Sequence, residues 1–244
     1  MRYAIQWLRS LLYLIIIYAM IPITGVVFFP WALASPKGAH AACRFYARFS
    51  CWLLGWIVGI KTESRGTPPT DEVLIAAKHQ SFLDIVMIFR EIPAGKFIMK
   101  RELMWIPIFG QYTMRIGCVP VDRGKRGKAI QKMIQDVERG RIEPGQLVIY
   151  PQGTRVAPGK EMPYKVGTAV LYAQLGQDCV PVATNAGVFW PRRGLYLTPG
   201  TAVVEFLPRI PAGLGRETFL ARLESEIETA SDRLVEEAGF QKEP

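Results

Sequence analysis

The sequence predicts an α/β protein whose central mixed sheet is flanked by helices and preceded by an N-terminal two-helix membrane anchor. Three observations carry that reading. The first 60 of 244 residues hold two long apolar stretches. From residue 73 onward, short apolar runs alternate with longer segments of helical period, the pattern of strands separated by helices. Between the two regimes lies a polar, proline-bearing stretch, KTESRGTPPTDE (61–72).

Each element follows from its own residues. LLYLIIIYAMIPITGVVFFPWALA (11–34) carries no charge and exceeds the roughly 20 residues that cross a hydrocarbon core. Arg2 and Arg9 precede it, and ALAS (32–35) has the look of a signal-peptidase site, so a cleaved secretory signal is the rival reading. The run is longer than the ~7–15 residues of a signal core, and a second apolar stretch follows, CRFYARFSCWLLGWIVGI (43–60). There Arg44 and Arg48 lie one helical turn apart, as do Trp52 and Trp56, an arrangement suited to the headgroup level of a membrane. Pro22, Gly25 and Pro30 leave both a spanning and a re-entrant first helix open. The division expected is an anchor over 1–60, a linker over 61–72 and an α/β domain over 73–244.

Within that domain VLIAA (73–77), CVPV (118–121), LVIY (147–150), CVPVA (179–183) and AVVEFL (202–207) read as strands. FLDIVMIFREI (82–92), KAIQKMIQDVERG (128–140) and YKVGTAVLYAQLG (164–176) read as helices. The segment 216–239 places Phe219, Leu220, Leu223, Ile227, Leu234 and Val235 on one face, which predicts an amphipathic covering helix.

The formal charge is +9, which points to acidic partners: nucleic acid, an anionic bilayer face or phosphorylated small molecules. Nucleic acid is set aside, because zinc-finger spacing and RNA-recognition motifs are missing and the aromatics cluster in the anchor. Cys43, Cys51, Cys118 and Cys179 form no C-x-x-C pair, and there are only two histidines. No metal site and no disulfide framework is expected, and the thiols suit a reducing compartment.

One of the two histidines sits in KHQSFLD (78–84), at the expected junction of a strand and a helix. Two roles fit the same residues. Ser81 and Asp84 have the spacing of a capping box, S-x-x-D, with the acid in the first turn of the helix. Alternatively, Asp84 reaches back to one ring nitrogen of His79, leaving the other to take a proton from a substrate. With no G-x-S-x-G in the chain, a protein serine is not the third partner, and the reacting hydroxyl is assigned to the substrate.

Further motifs follow in order: FIMKRELMWIPIFG (97–110), GCVPVDRG (117–124), YPQGTR (150–155) and VPVA (180–183). With these the chain resembles the glycerophospholipid acyltransferase family, most closely its bacterial 1-acyl-sn-glycerol-3-phosphate acyltransferase branch, over residues 73 to 207. His79, Gln80, Ser81 and Asp84 match the first motif; Lys100, Glu102, Leu103, Pro107 and Gly110 the lysine-bearing segment; Gly117, Asp122 and Arg123 the second; Pro151, Gly153, Thr154 and Arg155 the third; and Pro181 the fourth. The third motif usually carries glutamate where this chain has Gln152. An amide retains a carbonyl acceptor but not the charge.

The resemblance implies acyl transfer from acyl-CoA or acyl carrier protein to the sn-2 hydroxyl of lysophosphatidic acid, giving phosphatidic acid, with no cofactor beyond the acyl donor. It implies His79 and Asp84 as catalytic residues, and Lys100, Arg123, Gln152, Gly153, Thr154 and Arg155 as the substrate site. It places the enzyme on the cytoplasmic face of the inner membrane. Two other readings stay open on the residues alone: the same chemistry on a lyso-aminolipid or glycerol 3-phosphate, and a non-catalytic lipid-binding protein.

Overall fold

The structure, a computed structural model, describes residues 2–122 and 145–240, together with positions 131, 132, 135 and 139. Its centre is a seven-stranded sheet: β1 (Ile60–Gly66), β2 (Val73–Ala77), β3 (Gly95–Lys100), β4 (Val119–Val121), β5 (Gln146–Ile149), β6 (Cys179–Thr184) and β7 (Gly200–Phe206), in the order β1-β7-β6-β2-β5-β3-β4. Every neighbouring pair is parallel except β6–β7, so the sheet is mixed. β2 lies in the interior, with Ile75 opposite Val148 on one side and Val180 on the other. Its unbroken VLIAA sequence answers to burial on both faces.

Alternation along β2 sorts two apolar layers. Val73, Ile75 and Ala77 point toward α1 (Arg2–Ala34), α2 (Pro36–Leu53) and α3 (Phe82–Glu91), joining Tyr13, Ile17, Leu54, Leu83 and Met87 in one core. After α3, the short α4 (Phe109–Arg115) packs on α1. Leu74 and Ala76 point the other way, toward α5 (Val166–Leu175) and the last helix. A short α6 (Ala186–Phe189) follows β6, and α7 (Arg216–Glu237) closes the chain's described helices. Phe219, Leu223, Ile227 and Leu234 of α7 are fully buried, and Phe219 stacks on Tyr172 of α5 at 3.7 Å between ring centroids. The covering helix is as the apolar spacing predicts.

Three expectations change. The stretch 61–72 is not simply a linker: β1 takes residues up to Gly66 and pairs with β7 from Ile60–Gly200 to Gly66–Phe206. Its charges misled because an edge strand buries only part of its surface, and charged side chains are common there. Arg90 donates to Thr62 at 2.6 Å and Arg65 to Glu237 at 2.6 Å, tying this edge to α3 and α7.

Second, the helix expected over 43–60 begins earlier and ends earlier. Ser35 caps it, accepting from the Lys37 N–H at 3.2 Å, Pro36 opens it, and one wide π turn, Leu54–Val58, precedes β1. Among the described residues, only α1 is a helix long and apolar enough to cross a membrane. α2 is amphipathic and buries small residues, Gly38, Ala39, Ala42 and Ala47, against its neighbours. At Gly38 a Cβ would stand 2.5 Å from the Trp31 carbonyl carbon, so the α1–α2 corner requires glycine there.

Third, α1 is one continuous helix through Pro22 and Pro30, and it lies along the domain. Gln6 Nε2 donates to the Val58 and Leu197 carbonyls at 3.1 and 2.9 Å, while toward the other end Tyr112 Oη donates to the Gly25 carbonyl at 2.6 Å. The helix expected over 128–140 and the basic run 123–128 fall almost wholly outside the described residues.

Candidate active site

The C-terminal ends of the parallel strands β2, β3, β4 and β5 share one edge of the sheet, the edge where open α/β sheets bind ligands. Beyond β2 the backbone continues its ladder, with Lys78 N–H donating to the Val182 carbonyl at 2.8 Å. Lys78 turns toward α7, where Nζ meets Glu228 at 2.6 Å; the Tyr164 hydroxyl donates to the same carboxylate at 2.8 Å. His79 is the next residue, and its side chain points to α3.

Both roles weighed for Asp84 are filled, by different oxygens of one carboxylate. Oδ2 accepts from the backbone N–H of Gln80 at 2.8 Å and Ser81 at 2.7 Å, while the Ser81 hydroxyl accepts from Leu83 N–H at 3.1 Å. That is the capping box. Oδ1 accepts from His79 Nδ1 at 2.9 Å. A carboxylate accepting there puts the proton of the neutral ring on Nδ1 and leaves the Nε2 lone pair free. No protein group among the described residues bonds Nε2. Asp84 is fully buried, while the His79 side chain is 13 % exposed: the acid is sealed and the ring reaches the surface.

Among the described residues, no protein nucleophile stands beside this pair. The Ser81 hydroxyl is buried and engaged in the cap. Cys118 is buried against β3, accepting from Phe97 N–H at 3.3 Å, and burial pushes its thiol up to about 12, so it is not a ready thiolate. No group of three or more His, Cys, Asp or Glu able to hold a metal occurs among the described residues.

The third motif wraps the same edge. Tyr150 follows β5, and its ring stacks on His79. Gly153 has φ +70°, and its N–H donates to the Tyr150 carbonyl at 2.8 Å; a side chain there would be strained and would also strike Lys165, whose Nζ lies 2.5 Å from the Cβ position. The peptide between Arg155 and Val156 joins two parts of the site. Its N–H donates to the His79 carbonyl at 2.8 Å, and its carbonyl accepts from Arg192 Nη1 at 3.2 Å. Thr154 and Arg155 are half-buried at this rim.

Gln152 is 2 % exposed, and its Nε2 donates to the Met162 carbonyl at 3.1 Å. Only the amide can make that bond, since an ionised glutamate has nothing to donate. The departure from the usual motif is thus matched by the partner it faces.

The remaining expected residues are more distant or undescribed. Lys100 ends β3, two strands from β2, is exposed, and pairs with Glu102 at 3.0 Å. Arg123 lies outside the described residues. The sequence reading passed over Tyr150, Lys165 and Arg192. The placement of Tyr150 at the junction of a strand and the Pro151 turn was a usable signal; the two cations come from other loops and carry none.

The sequence model of the Acyltransferase family matches residues 60–185, just over half of the chain. The chain belongs to the acyltransferase family. It is 28% identical over 214 residues to a 1-acyl-sn-glycerol-3-phosphate acyltransferase of Pseudomonas aeruginosa, covering 85% of this chain and 82% of that one. It is 27% identical over 196 residues to 1-acyl-sn-glycerol-3-phosphate acyltransferase alpha of Homo sapiens, covering 77% and 69% respectively. The fold matches the crystal structure of the 1-acyl-sn-glycerophosphate acyltransferase from Thermotoga maritima with a TM-score of 0.79 at 19% identity, across 96% of this chain and 99% of that one.

Proposed function

We propose that this acyltransferase moves an acyl chain from a thioester donor to the sn-2 hydroxyl of lysophosphatidic acid, forming phosphatidic acid. The names of the relatives support the acceptor. The observation that carries the chemistry is the His79–Asp84 pair, with neither a partner on Nε2 nor a protein nucleophile beside it among the described residues. His79 Nε2 takes the proton of the acceptor hydroxyl as its oxygen attacks the thioester carbonyl. Asp84 stays ionised, holds the ring by Nδ1 and stabilises the imidazolium. The tetrahedral oxyanion then collapses, the C–S bond breaks, and His79 returns the proton to the departing thiolate. No acyl-enzyme is needed.

The acceptor is a phosphate monoester, so cations must neutralise it. Arg155 and Arg123 supply forked donors, Lys100 a point charge, and Gly153 and Thr154 let the loop approach the headgroup. Gln152 serves as a positioning group through Met162. Either coenzyme A or an acyl carrier protein suits the thiol half of the donor, because the reacting bond is the same. The outer face of α1 carries exposed Ile5, Leu8, Leu12, Ile15, Ile23, Val26, Phe29 and Leu33, and we place that face in the cytoplasmic leaflet of the inner membrane, with α1 lying along the bilayer.

The test is direct. Purified protein incubated with lysophosphatidic acid and each donor should yield phosphatidic acid by mass, and glycerol 3-phosphate should yield no product. His79→Ala should lower turnover by about 10²–10⁴-fold; a variant retaining most of its activity would exclude His79 as the base.

A further inference from the structure

His79 is held from two sides, and only one of them is Asp84. The ring of Tyr150 stacks on the imidazole, 4.0 Å between centroids and 21° between planes. Tyr150 is itself backed by Phe97 at 6.2 Å, and Phe97 stacks on Phe89 of α3 at 5.4 Å and 12°. A row of four rings therefore runs from the site into the core. The Tyr150 hydroxyl is buried beside the Asp84 carboxylate but forms no hydrogen bond of ordinary geometry. Burial, and then the neighbouring Asp84 charge, hold it protonated. A buried hydroxyl without a well-formed hydrogen bond adds little to the fold, and the contact this position makes with His79 is through the face of the ring.

One hydrogen bond from Nδ1 to Asp84 does not fix an imidazole, because the ring can still rock about that bond. A flat partner at stacking distance removes this freedom. We infer that Tyr150 is a positioning residue for acyl transfer: its ring sets the plane of the His79 imidazole, so that Nε2 keeps its line to the acceptor hydroxyl. Its π face also favours the imidazolium that forms on proton transfer. This rests on the reading of His79 as the general base.

The test compares Tyr150→Phe, Tyr150→Leu and His79→Ala in the full-length protein with lysophosphatidic acid and an acyl-CoA. Tyr150→Phe keeps the ring face and should retain at least about half of kcat, with a melting temperature close to the parent's, since it removes a hydroxyl that makes no well-formed hydrogen bond. Tyr150→Leu should lose about tenfold or more in kcat while both KM values stay within about twofold, the signature of a lost transition-state alignment. If Leu does not fold, as judged by circular dichroism, Tyr150→Met gives the same comparison with closer volume. The inference fails if the Leu or Met variant keeps most of its turnover while His79→Ala is inactive, or if Phe is as damaging as Leu, which would assign the effect to the hydroxyl. An active His79→Ala would instead overturn the reading beneath it.

Discussion

The two oxygens of Asp84 serve different partners, the start of α3 and the His79 ring, and substitution can separate the two. In Asp84→Asn the amide oxygen can keep the Gln80 and Ser81 N–H bonds that start α3. Its NH2 then faces His79 Nδ1 and forces the proton of the ring onto Nε2, the wrong tautomer for a base. Turnover should fall by at least about 10²-fold with only a small loss of helix stability; kinetics and thermal melts on one preparation check it. Gln152→Glu sets up the opposite case. A buried carboxylate facing the Met162 carbonyl has no donor to offer until it is protonated, so burial raises its pKa in the folded state. The folded form then binds a proton more readily than the unfolded form, and stability falls as pH rises through the folded pKa. Urea unfolding should show a deficit of about 1–3 kcal/mol against the parent at pH 8, shrinking at pH 5.

Among the elements, α7 is anchored to the end of β2 that carries His79 by a charge. Lys78 is 3 % exposed, and its counter-ion Glu228 comes from α7, with Tyr164 sharing the carboxylate. Removing one partner strands the other. Glu228→Leu should cost on the order of 3 kcal/mol, because Lys78 remains buried without its carboxylate. The double variant Lys78→Met/Glu228→Leu should recover most of that loss, which a double-mutant cycle by chemical denaturation measures. Equal losses in the single and double variants would show that packing, not charge, holds the helix.

For the whole molecule, the N-terminal helices both cover the core and present an exposed apolar surface. Tyr13, Ile17, Leu54 and Val58 are fully buried against the sheet, so removing residues 2–59 should give insoluble protein rather than a free catalytic domain; fractionation of the expressed truncation decides this. Their outer side carries a run of rings in contact, Phe28, Phe45, Phe49, Trp52 and Trp56. Trp52 and Trp56 are 58 % and 76 % exposed. Replacing both with Asp should weaken binding to phospholipid vesicles at least tenfold, or about 1.4 kcal/mol, with the melting temperature unchanged. Co-sedimentation with vesicles is the measurement.

The α/β class, the strand β2, the covering helix α7 and the His79–Asp84 spacing are all legible in the residues alone. Each of these is written in a local pattern: an unbroken apolar run, a helical apolar period, a cap spacing. The sequence could not show β1, because an edge strand such as KTESRG reads as polar when its pairing with β7 comes from the far end of the chain. Nor could it place α1 and α2 within the core, since apolar residues look the same whether lipid or a sheet covers them. Only the tertiary structure decided that Tyr150 lies on His79, that the Arg155–Val156 peptide links His79 to Arg192, and that Gln152 faces a carbonyl. These contacts join segments distant in sequence, and their geometry is set by the packing of the sheet rather than by any local pattern.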